Sequence, residues 1–370
     1  MIYKKYGKSD TEVSTLGFGG MRFADPSDID KMAEIVVHAH NKGITYFDTA
    51  PGYCDDQSEL IMGAAFKEMR KSGNPFVVST KSSKSNGSEL RKQLETSLKR
   101  FDMESLDFFN CWYVLTKEDW ESRKVNGAVA AILKAKEEGL IKHAVFSTHL
   151  PGNQIAEVIE EGYFEGVTLG YSAINFPYRE EGITAAAENG LGVVIMNPLG
   201  GGMIPQSKGS FDFLKVRDGQ SVVDGALQFL YTDPRITTTL VGFSSKEDVD
   251  GAIASVDSFT PYSEAEIDQV KSGVSGELNA LCTSCKYCKD CPVDIPVWAF
   301  VEASNHLIMK GGEGMYERLK YYWGVDPSLI DTCIDCGQCE AACTQKLPIM
   351  KRFEMVRKAL AEEKAARSNK

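Results

Sequence analysis

The chain alternates short apolar segments, rich in β-branched and aromatic residues, with longer segments in which apolar residues recur every three or four positions. The first pattern predicts buried strands, and the second predicts amphipathic helices. The predicted strands cover residues 15–23, 44–49, 76–81, 106–113, 142–147, 166–172, 192–197 and 237–243. The predicted helices cover residues 29–42, 57–71, 88–101, 124–138, 153–161, 179–189, 220–232 and 246–256.

This regular alternation of strand and helix indicates the fold class. It predicts a parallel sheet, and eight repeats within about 250 residues predict a closed (β/α)8 TIM barrel of the α/β class. An open doubly wound sheet is the alternative, but GFGG at 17–20 lacks the third glycine of the dinucleotide-binding motif. The alternation stops near residue 272. We therefore expect a barrel over residues 1–272 and a second, mostly α-helical domain over residues 273–370.

Composition and charge narrow the range of partners. The 370 residues are 43% hydrophobic and 25% charged, as in globular proteins, and the formal net charge is −11. This charge argues against a nucleic-acid partner, for which a basic stripe is expected. No run approaches the roughly 18 apolar residues of a membrane span, and the first residues lack the apolar core of a signal peptide. We therefore expect a cytoplasmic protein that binds neither membranes nor nucleic acid.

Polar side chains lie at the ends of the second and third predicted strands, where a TIM barrel places its chemistry. FDTAPGY places Asp48 at one strand end and Tyr53 in the following loop, and STK places Lys81 at the next strand end. A tyrosine, with an ordinary pKa of about 10, is a poor acid near neutral pH unless a cation favours its anion. Lys81 would supply that cation and Asp48 would hold it. Tyr53 could then protonate a carbonyl oxygen.

These residues resemble the aldo-keto reductase family, whose signature is a strand ending in Asp-Thr-Ala, a tyrosine after it, and a strand ending in lysine. SELIMGAAF (58–66), FST (146–148), NPLGGG (197–202) and VGFSS (241–245) resemble later family landmarks in the same order. The resemblance covers about residues 1–270. It implies a catalytic role for Asp48, Tyr53 and Lys81 in hydride transfer between a nicotinamide cofactor and a small carbonyl or alcohol substrate.

The fourth strand departs from the family pattern. The family has a histidine at its end, and Trp112 takes that place here. An indole N–H can donate a hydrogen bond but cannot do acid–base work, so Trp112 would bond the substrate, stack on it or narrow the pocket. Strand alternation predicts that Cys111 and Tyr113 point away from Trp112, unless a bulge intervenes. We interpret His149, just after the fifth strand, as a loop residue rather than as a replacement for the missing histidine.

The resemblance also implies a nicotinamide site, with one match and several departures. Ser147 matches the serine that follows the fifth strand in the family. Thr148, Tyr171 and Met196 stand where the family has asparagine, glutamine and an aromatic residue. Tyr171 or Met196 could still pack on a flat ring. These positions predict a bound cofactor, but they leave NADH, NADPH and a flavin open.

The adenosine end of the cofactor would lie at the segment GFSSKEDV. Gly242, Ser244 and Ser245 could contact phosphate there through backbone N–H groups and hydroxyls. Lys246 would favour a 2′-phosphate, because recognition of phosphate requires positive charge. Asp248 stands where the family often has arginine or glutamine, and its carboxylate would repel the same phosphate. The segment therefore does not decide between NADH and NADPH.

Eight of the ten cysteines lie in two short runs of the second domain. They are Cys282, Cys285, Cys288 and Cys291 in CTSCKYCKDCP, and Cys333, Cys336, Cys339 and Cys343 in DTCIDCGQCEAACTQKLP. Such density in a cytoplasmic chain favours metal binding over disulfides. Zinc is one candidate, although zinc knuckles do not need a third cysteine at the same three-residue interval.

The two runs resemble those of bacterial ferredoxins, which use C-x2-C-x2-C-x3-C-P twice, the fourth cysteine of each run binding the other cluster. The resemblance implies two [4Fe–4S] clusters. One would be held by Cys282, Cys285, Cys288 and Cys343, and the other by Cys333, Cys336, Cys339 and Cys291. The first run is one residue shorter than the pattern, and Thr344 replaces the usual proline. The helical interval between the runs indicates a helical dicluster ferredoxin-type domain.

Two functions follow from these features. The first is an aldo-keto reductase-like oxidoreductase that acts on a small-molecule substrate, with clusters that exchange electrons with it or with a redox partner protein. The second is an electron-transfer or redox-sensing protein whose barrel has vestigial chemistry. Hydride transfer moves two electrons and a cluster passes one, so coupling would require a flavin or a substrate radical. The Asp48, Tyr53 and Lys81 trio favours the first function, and Trp112 favours the second.

Overall fold

The computed structural model describes residues 1–207, 209–274, 280–310, 312 and 314–368, with side chains described through residue 365. The chain divides into two compact units. The first comprises residues 1–199 and 215–267, and the second comprises residues 200–214 and 268–370. Segment 200–214 thus groups with the cysteine-rich unit, although it follows a barrel strand in the sequence. The domain boundary at residue 272 stays a prediction.

The first unit contains a closed barrel of parallel strands, which confirms the predicted TIM barrel. A short antiparallel hairpin of β1 (Tyr3–Lys5) and β2 (Glu12–Ser14) precedes it. The barrel strands are β3 (Leu16–Gly19), β4 (Tyr46–Asp48), β5 (Val77–Ser82), β6 (Leu106–Val114), β7 (Ile141–Thr148), β8 (Gly166–Gly170), β9 (Gly192–Met196) and β10 (Thr238–Val241). Each strand pairs with the next, and β10 closes the barrel on β3.

Amphipathic helices separate the strands, as the apolar periodicity predicts. In chain order the helices are α1 (Ile29–Asn41), α2 (Ser58–Met69), α3 (Gly87–Phe101), α4 (Lys117–Val125), α5 (Ala128–Glu137), α6 (Gly152–Glu160), α7 (Glu180–Glu188), α8 (Met203–Gln206), α9 (Val222–Thr232), α10 (Lys246–Asp257), α11 (Glu264–Gly273), α12 (Val297–Lys310), α13 (Met315–Glu317), α14 (Gln338–Ala341) and α15 (Ile349–Ser368). Short polar side chains fix several starts: Asn86 accepts two backbone N–H groups of α3, and Ser245 forms a capping box with Asp248 at α10.

The N-terminal end of the barrel is closed by Tyr6, which follows β1. Its ring packs on Phe108 with centroids 4.4 Å apart, and the residue is 1% exposed. A side chain at Gly166 or Gly192, the first residues of β8 and β9, would collide with this ring. Glycine at these two positions therefore makes room for the tyrosine, and the opposite, C-terminal end of the strands is left for chemistry.

The second unit has its own apolar core, formed between α12 and α15. Phe300 of α12 and Phe353 of α15 pack with ring centroids 5.8 Å apart, and both are almost fully buried. Cys282 and Cys343, one from each cysteine run, belong to this same core. In the described part of the chain, no helix combines the length and apolar character required to cross a membrane.

Candidate active site and cysteine centres

Asp48 and Lys81 form a buried ion pair at the C-terminal end of the barrel. Asp48 ends β4, and Lys81 lies near the end of the neighbouring strand β5. The Lys81 Nζ atom lies 2.7 Å from Asp48 Oδ1 and 2.6 Å from Oδ2. Their side chains are 2% and 6% exposed, so little water screens the two charges. The structure thus brings together Asp48 and Lys81, two of the three residues of the predicted trio.

A line of hydrogen bonds supports Asp48 from inside the barrel. Ser79 Oγ donates to Asp48 Oδ1 at 2.9 Å, and Asn110 Nδ2 donates to Ser79 Oγ at 3.0 Å. Thr168 Oγ1 in turn donates to Asn110 Oδ1 at 3.0 Å. An amide nitrogen can only donate, so the Ser79 proton is left for the carboxylate. Sequence reasoning missed these three residues, although Ser79 lies two positions before Lys81 and alternation places both on one face.

Tyr53 lies beside this ion pair, in the loop between β4 and α2. The Lys81 Nζ atom is 5.5 Å from the centroid of the Tyr53 ring, and the tyrosine is half-buried. An ammonium at this distance favours negative charge on the phenol oxygen. The structure therefore places Asp48, Lys81 and Tyr53 in one site. Their catalytic role stays a prediction.

The Tyr53 loop is anchored by Arg100 at the end of α3. Arg100 Nη2 lies 2.6 Å from Asp56 Oδ2, and Nη1 lies 2.9 Å from the buried carboxylate of Glu59. Asp56 Oδ1 also accepts the backbone N–H of Gly52 at 2.9 Å, and the hydrogen bond with Arg100 lowers the Asp56 pKa. Sequence reasoning missed this anchor, because it depends on how α3 packs beside the loop.

Trp112 lies against Tyr53, but the strand that carries it is not regular. The two rings meet edge to face with centroids 5.5 Å apart. The register of β6 with β7 shifts between Cys111 and Val114, and Tyr113 has a φ of 67°. The Tyr113 and Trp112 rings are 6.1 Å apart, whereas neighbours in a regular strand point to opposite faces. The exception that the sequence analysis allowed therefore applies: the strand is bulged here, and Tyr113 does not simply point away from Trp112.

The aromatic row continues to His149. Its ring lies 6.3 Å from that of Tyr113, and the residue is 2% exposed. His149 follows the end of β7, and its backbone N–H donates to Val114 in β6 at 2.9 Å. Cys111 is fully buried, and this burial raises its thiol pKa to about 11, which makes it a packing residue. One row of neighbouring rings is thus formed by Tyr53, Trp112, Tyr113 and His149.

The residues expected at the nicotinamide lie at neighbouring strand ends. Ser147 and Thr148 end β7 and are buried, and Thr148 Oγ1 donates to a backbone carbonyl of β6 at 3.0 Å. Tyr171 Oη donates to Glu180 Oε2 at 2.7 Å. Burial raises the Tyr171 pKa, and the Glu180 carboxylate raises it further. Met196 ends β9, and its carbonyl accepts the Tyr171 N–H at 3.3 Å. Tyr171 thus has its hydroxyl engaged and only its ring left for packing.

The expected phosphate site at the start of α10 contains a carboxylate of the protein. Asp248 Oδ2 accepts the backbone N–H groups of Ser244 at 3.0 Å and Ser245 at 3.2 Å. The Ser245 hydroxyl accepts the Asp248 N–H at 3.1 Å. Lys246 pairs with Glu34 at 2.9 Å. Donors that a phosphate would use are therefore already bonded to a negative charge.

Arg22, which sequence reasoning did not single out, lies beside Gly242. A Cβ atom at Gly242 would lie 2.8 Å from Arg22 Cβ, so glycine allows the arginine stem to pack there. Burial raises the pKa of the nearby Cys54 thiol, and the Arg22 charge opposes that rise. Arg22 follows the first barrel strand in GGMRF, and its place just after a strand end is the feature that could have identified it from sequence. Arg22 places a cation near Gly242.

The first group of cysteines draws its members from both runs. Burial raises the pKa of the Cys282 thiol well above its ordinary value, and the charges of Cys285, Cys288 and Cys343 raise it further. Burial likewise raises the Cys288 pKa to about 12, with contributions from Cys285, Cys343 and Cys339. Cys282 and Cys343 also belong to one buried core, and Cys285 Sγ lies 3.3 Å from Oγ1 of Thr344, the residue after Cys343. Cys343 of the second run thus lies with cysteines of the first run, as the ferredoxin resemblance implies.

The remaining cysteines surround a separate cavity. Cys291 of the first run lines it together with Cys333, Cys336 and Cys339 of the second run. Burial raises the Cys339 pKa to about 11, and the Cys333 charge adds to this rise. Cys336 is exposed to solvent. Cys288 of the first group and Cys339 of the second pack against the same apolar core.

The donor set of these two groups suits iron–sulfur clusters. Thiolates are the usual ligands of [4Fe–4S] clusters, which take four each. Among the described residues, no group of three or more cysteine, histidine, aspartate or glutamate side chains is arranged to hold a single metal ion. The ligand assignment stays a prediction, and its geometry fits the cross-linked arrangement.

Comparison with known proteins gives the family of the barrel that carries the Asp48, Lys81 and Tyr53 site. A model described as the aldo/keto reductase family matches residues 15–274, well over half of the chain. The chain belongs to the aldo/keto reductase family. A model described as a 4Fe-4S dicluster domain matches residues 281–347, so this iron–sulfur domain lies C-terminal to the reductase domain.

Individual relatives agree with this family. A probable aldo-keto reductase 1 of Glycine max is 31% identical over 212 residues, which is 54% of this chain and 59% of that protein. An L-galactose dehydrogenase of Arabidopsis thaliana is 25% identical over 289 residues, which is 68% of this chain and 86% of that protein. An NADH-specific methylglyoxal reductase of Escherichia coli K12 is 25% identical over 54% of this chain and 67% of its own length.

A solved structure shows the same fold. The holo form of aldo-keto reductase AKR11C1 from Bacillus halodurans superimposes with a TM-score of 0.65 and 23% sequence identity. The superposition covers 74% of this chain and 97% of that chain. It therefore includes nearly the whole of the Bacillus protein, and at this identity the likeness concerns the fold alone.

Proposed function

We propose that the barrel interconverts a carbonyl compound and its alcohol by hydride transfer, with Tyr53 as the acid and base. The observation that carries this proposal is the buried Lys81–Asp48 pair with the Tyr53 ring 5.5 Å from the ammonium. A nicotinamide cofactor supplies or takes up the hydride when it is bound. Family membership supports the reaction class, because the named relatives are reductases and dehydrogenases.

The proton in this reaction is handled by the chain's own residues. In reduction, Tyr53 gives its phenolic proton to the carbonyl oxygen while the carbonyl carbon gains a hydride, and the product is an alcohol. The Lys81 ammonium favours the phenolate that remains. Asp48, which accepts from Lys81 and from Ser79, holds the ammonium in place. Oxidation of an alcohol reverses each step, with the Tyr53 phenolate accepting the proton.

For the cofactor we propose NADH. The Asp248 carboxylate occupies backbone donors at the start of α10, and Lys246 is paired with Glu34, so a 2′-phosphate would meet net repulsion there. Arg22 beside Gly242 provides a cation for the cofactor's diphosphate. The relative from Escherichia coli that is named an NADH-specific reductase is consistent with this choice. The Tyr171 ring and Met196 would pack against the nicotinamide.

We assign the ligands of two [4Fe–4S] clusters to the two cysteine groups. One cluster is held by Cys282, Cys285, Cys288 and Cys343, and the other by Cys291, Cys333, Cys336 and Cys339. The grouping of Cys343 with Cys282 and of Cys291 with the second-run cysteines supports this assignment. Such clusters supply one-electron transfer when bound. The exposed Cys336 would bring the second cluster within reach of a redox partner protein.

Trp112 favours a second candidate function. It stands where the family has a histidine, and it packs edge to face on Tyr53 with centroids 5.5 Å apart. A barrel that lost carbonyl reduction could serve an electron-transfer or redox-sensing iron–sulfur protein. In that protein the Asp48–Lys81 pair would persist only as a structural element. We rank this candidate second, because the acid–base trio is complete.

Anaerobically purified protein tests both candidates. Iron, acid-labile sulfide and bound flavin are measured first, and EPR spectra are then recorded before and after NADH or NADPH is added. NADH oxidation is followed in parallel with a set of small aldehydes. About eight irons together with aldehyde-dependent NADH oxidation would support the reductase. Reducible clusters with no aldehyde-dependent turnover would favour the redox-sensing protein instead.

Cluster reduction by NADH would show in addition that the two domains form one electron path. In that case a bound flavin would be the group that splits the hydride into single electrons, because a Tyr–Lys–Asp site cannot split a hydride. Clusters that stay oxidised in the presence of NADH would separate the two domains functionally.

A further inference from the structure

Thr344 directly follows Cys343 and stands where ferredoxin-type runs have proline. It is fully buried, and its Oγ1 atom lies 3.3 Å from the Sγ atom of Cys285. Cys285 lies 59 positions earlier in the chain, in the first cysteine run. A proline at position 344 would have no group to make this contact. The departure from the usual pattern therefore places a hydroxyl beside a sulfur that we assign as a cluster ligand.

The direction of this hydrogen bond follows from the chemistry of the sulfur. Cysteine binds iron as the thiolate, which carries no proton. Cys285 can then only accept, and the Thr344 hydroxyl must donate. Hydrogen bonds to a charged acceptor are stronger than neutral ones, and burial shields this one from water.

This donor differs in kind from the backbone N–H groups that donate to cysteine sulfurs in the described residues. Leu347 donates its backbone N–H to Cys343 Sγ at 3.4 Å, and Asp335 donates its backbone N–H to Cys333 Sγ at 3.4 Å. Backbone donors are present whatever the side chain is. The Thr344 hydroxyl, in contrast, is encoded by one residue and can be removed without changing the main chain.

We propose that Thr344 raises the reduction potential of the cluster held by Cys282, Cys285, Cys288 and Cys343. A reduced cluster carries one more negative charge than an oxidised one, so a donor to a ligand sulfur stabilises the reduced state more. The electron comes from an external one-electron donor, and no bond to the cluster is made or broken. The proposal rests on the ligand assignment under the proposed function.

The consequence concerns the path of electrons within the dicluster domain. The two cysteine groups lie in the same domain and contact the same apolar core. Cys336 is exposed in one group, whereas Cys343 is buried in the other. An electron that enters at the exposed cluster would therefore be retained preferentially at the buried cluster, next to Thr344.

The test is an anaerobic redox titration of the full-length protein with both clusters bound, followed by EPR. Thr344→Val removes the hydroxyl at nearly constant volume, and Thr344→Ser keeps a hydroxyl. Thr332→Val is the matched control, because Thr332 precedes Cys333 but donates to the Leu329 carbonyl at 2.7 Å. We expect Thr344→Val to change the oxidised-to-reduced ratio of one cluster about fivefold, which lowers its midpoint by about 40 mV. Thr344→Ser and Thr332→Val should keep both wild-type midpoints.

Three results would overturn the proposal. Unchanged midpoints in Thr344→Val with full iron content would show that the hydroxyl has no effect, while the ligand assignment would stand. Equal shifts of both clusters, or a shift in Thr332→Val, would show a general effect on the domain. If Thr344→Val loses iron, Thr344→Ala is titrated instead, and the same outcomes apply. A wild-type protein without cubane clusters would refute the ligand assignment itself, before any variant is compared.

Discussion

The Lys81 ammonium lies 2.6 Å from the Asp48 carboxylate, with side chains that are 2% and 6% exposed. If one charge is removed, water cannot solvate the charge that remains, because both side chains are buried. Breaking such a pair by replacing one partner costs about 3–5 kcal/mol, whereas replacing both partners is often much milder. The pair is therefore expected to behave as one unit in stability measurements as well as in catalysis.

We expect Asp48→Asn to lower the free energy of unfolding by about 3 kcal/mol, because it leaves the Lys81 charge buried without a counter-charge. The double variant Asp48→Asn/Lys81→Met should recover a large part of this loss. Urea unfolding monitored by circular dichroism measures both. Additive losses in the double variant would mean that the two charges are not coupled.

Tyr53→Phe should reduce aldehyde-dependent NADH oxidation by at least about a hundredfold, since a positioned general acid contributes roughly two to four orders of magnitude. The absorbance of the clusters should not change, because Tyr53 belongs to the barrel unit. Steady-state kinetics with spectra of the same samples check both statements. Tyr163→Phe is a matched control, because this tyrosine is partly exposed and packs on Trp120. Turnover that survives in Tyr53→Phe would rule out its role as the acid.

Trp112→His should raise turnover of small aldehydes by about tenfold, because an imidazole can orient and polarise a carbonyl and an indole cannot exchange a proton. The 5.5 Å contact with the Tyr53 ring places this position next to the proposed acid. Trp112→Phe serves as the control, since it enlarges the pocket without adding a polar group. Equal gains in the two variants would mean that Trp112 acts only through its bulk.

The barrel and the positions of Asp48, Tyr53 and Lys81 could be predicted from sequence, because buried parallel strands are apolar and their ends are marked by polar residues. The bulge in β6 could not be predicted from the sequence. LDFFNCWYV has the composition of a continuous strand, and nothing local indicates a positive φ at Tyr113, which is uncommon for a bulky residue. The outcome changes which aromatic rings lie next to Trp112.

Among the residues that support the proposed sites, some contacts could be predicted from the sequence and others could not. Ser79 and Asn110 follow from alternation along strands whose ends were already identified, so they were within reach of sequence reasoning. The Arg100–Asp56 contact depends on the packing of α3 beside a loop, and sequence spacing carries no such information. The Thr344–Cys285 contact joins two runs that are distant in the chain. Only the ferredoxin resemblance indicated that these runs meet.

The Michaelis constant for NADPH should exceed that for NADH by about tenfold, because a 2′-phosphate would meet the Asp248 carboxylate. Asp248→Asn should reduce this difference, and the side-chain oxygen of asparagine can still accept the Ser244 and Ser245 N–H groups. Initial rates with both cofactors measure the ratio. Glu247→Gln is the control, since it removes a neighbouring charge of the same helix turn. A wild-type preference for NADPH, or a ratio that Asp248→Asn leaves unchanged, would contradict the proposed selectivity.

The ligand assignment makes its own prediction, because two substitutions that damage the same cluster should cost no more iron than one. Cys285→Ala/Cys343→Ala should retain about four irons, whereas Cys333→Ala/Cys343→Ala should retain almost none. Iron and acid-labile sulfide are measured per chain after anaerobic purification, with Cys54→Ser as a control that should keep about eight irons. If each run held its own cluster, the two double variants would exchange their results. Since Cys343 shares a buried core with Cys282 and does not line the second cavity, we expect the cross-linked result.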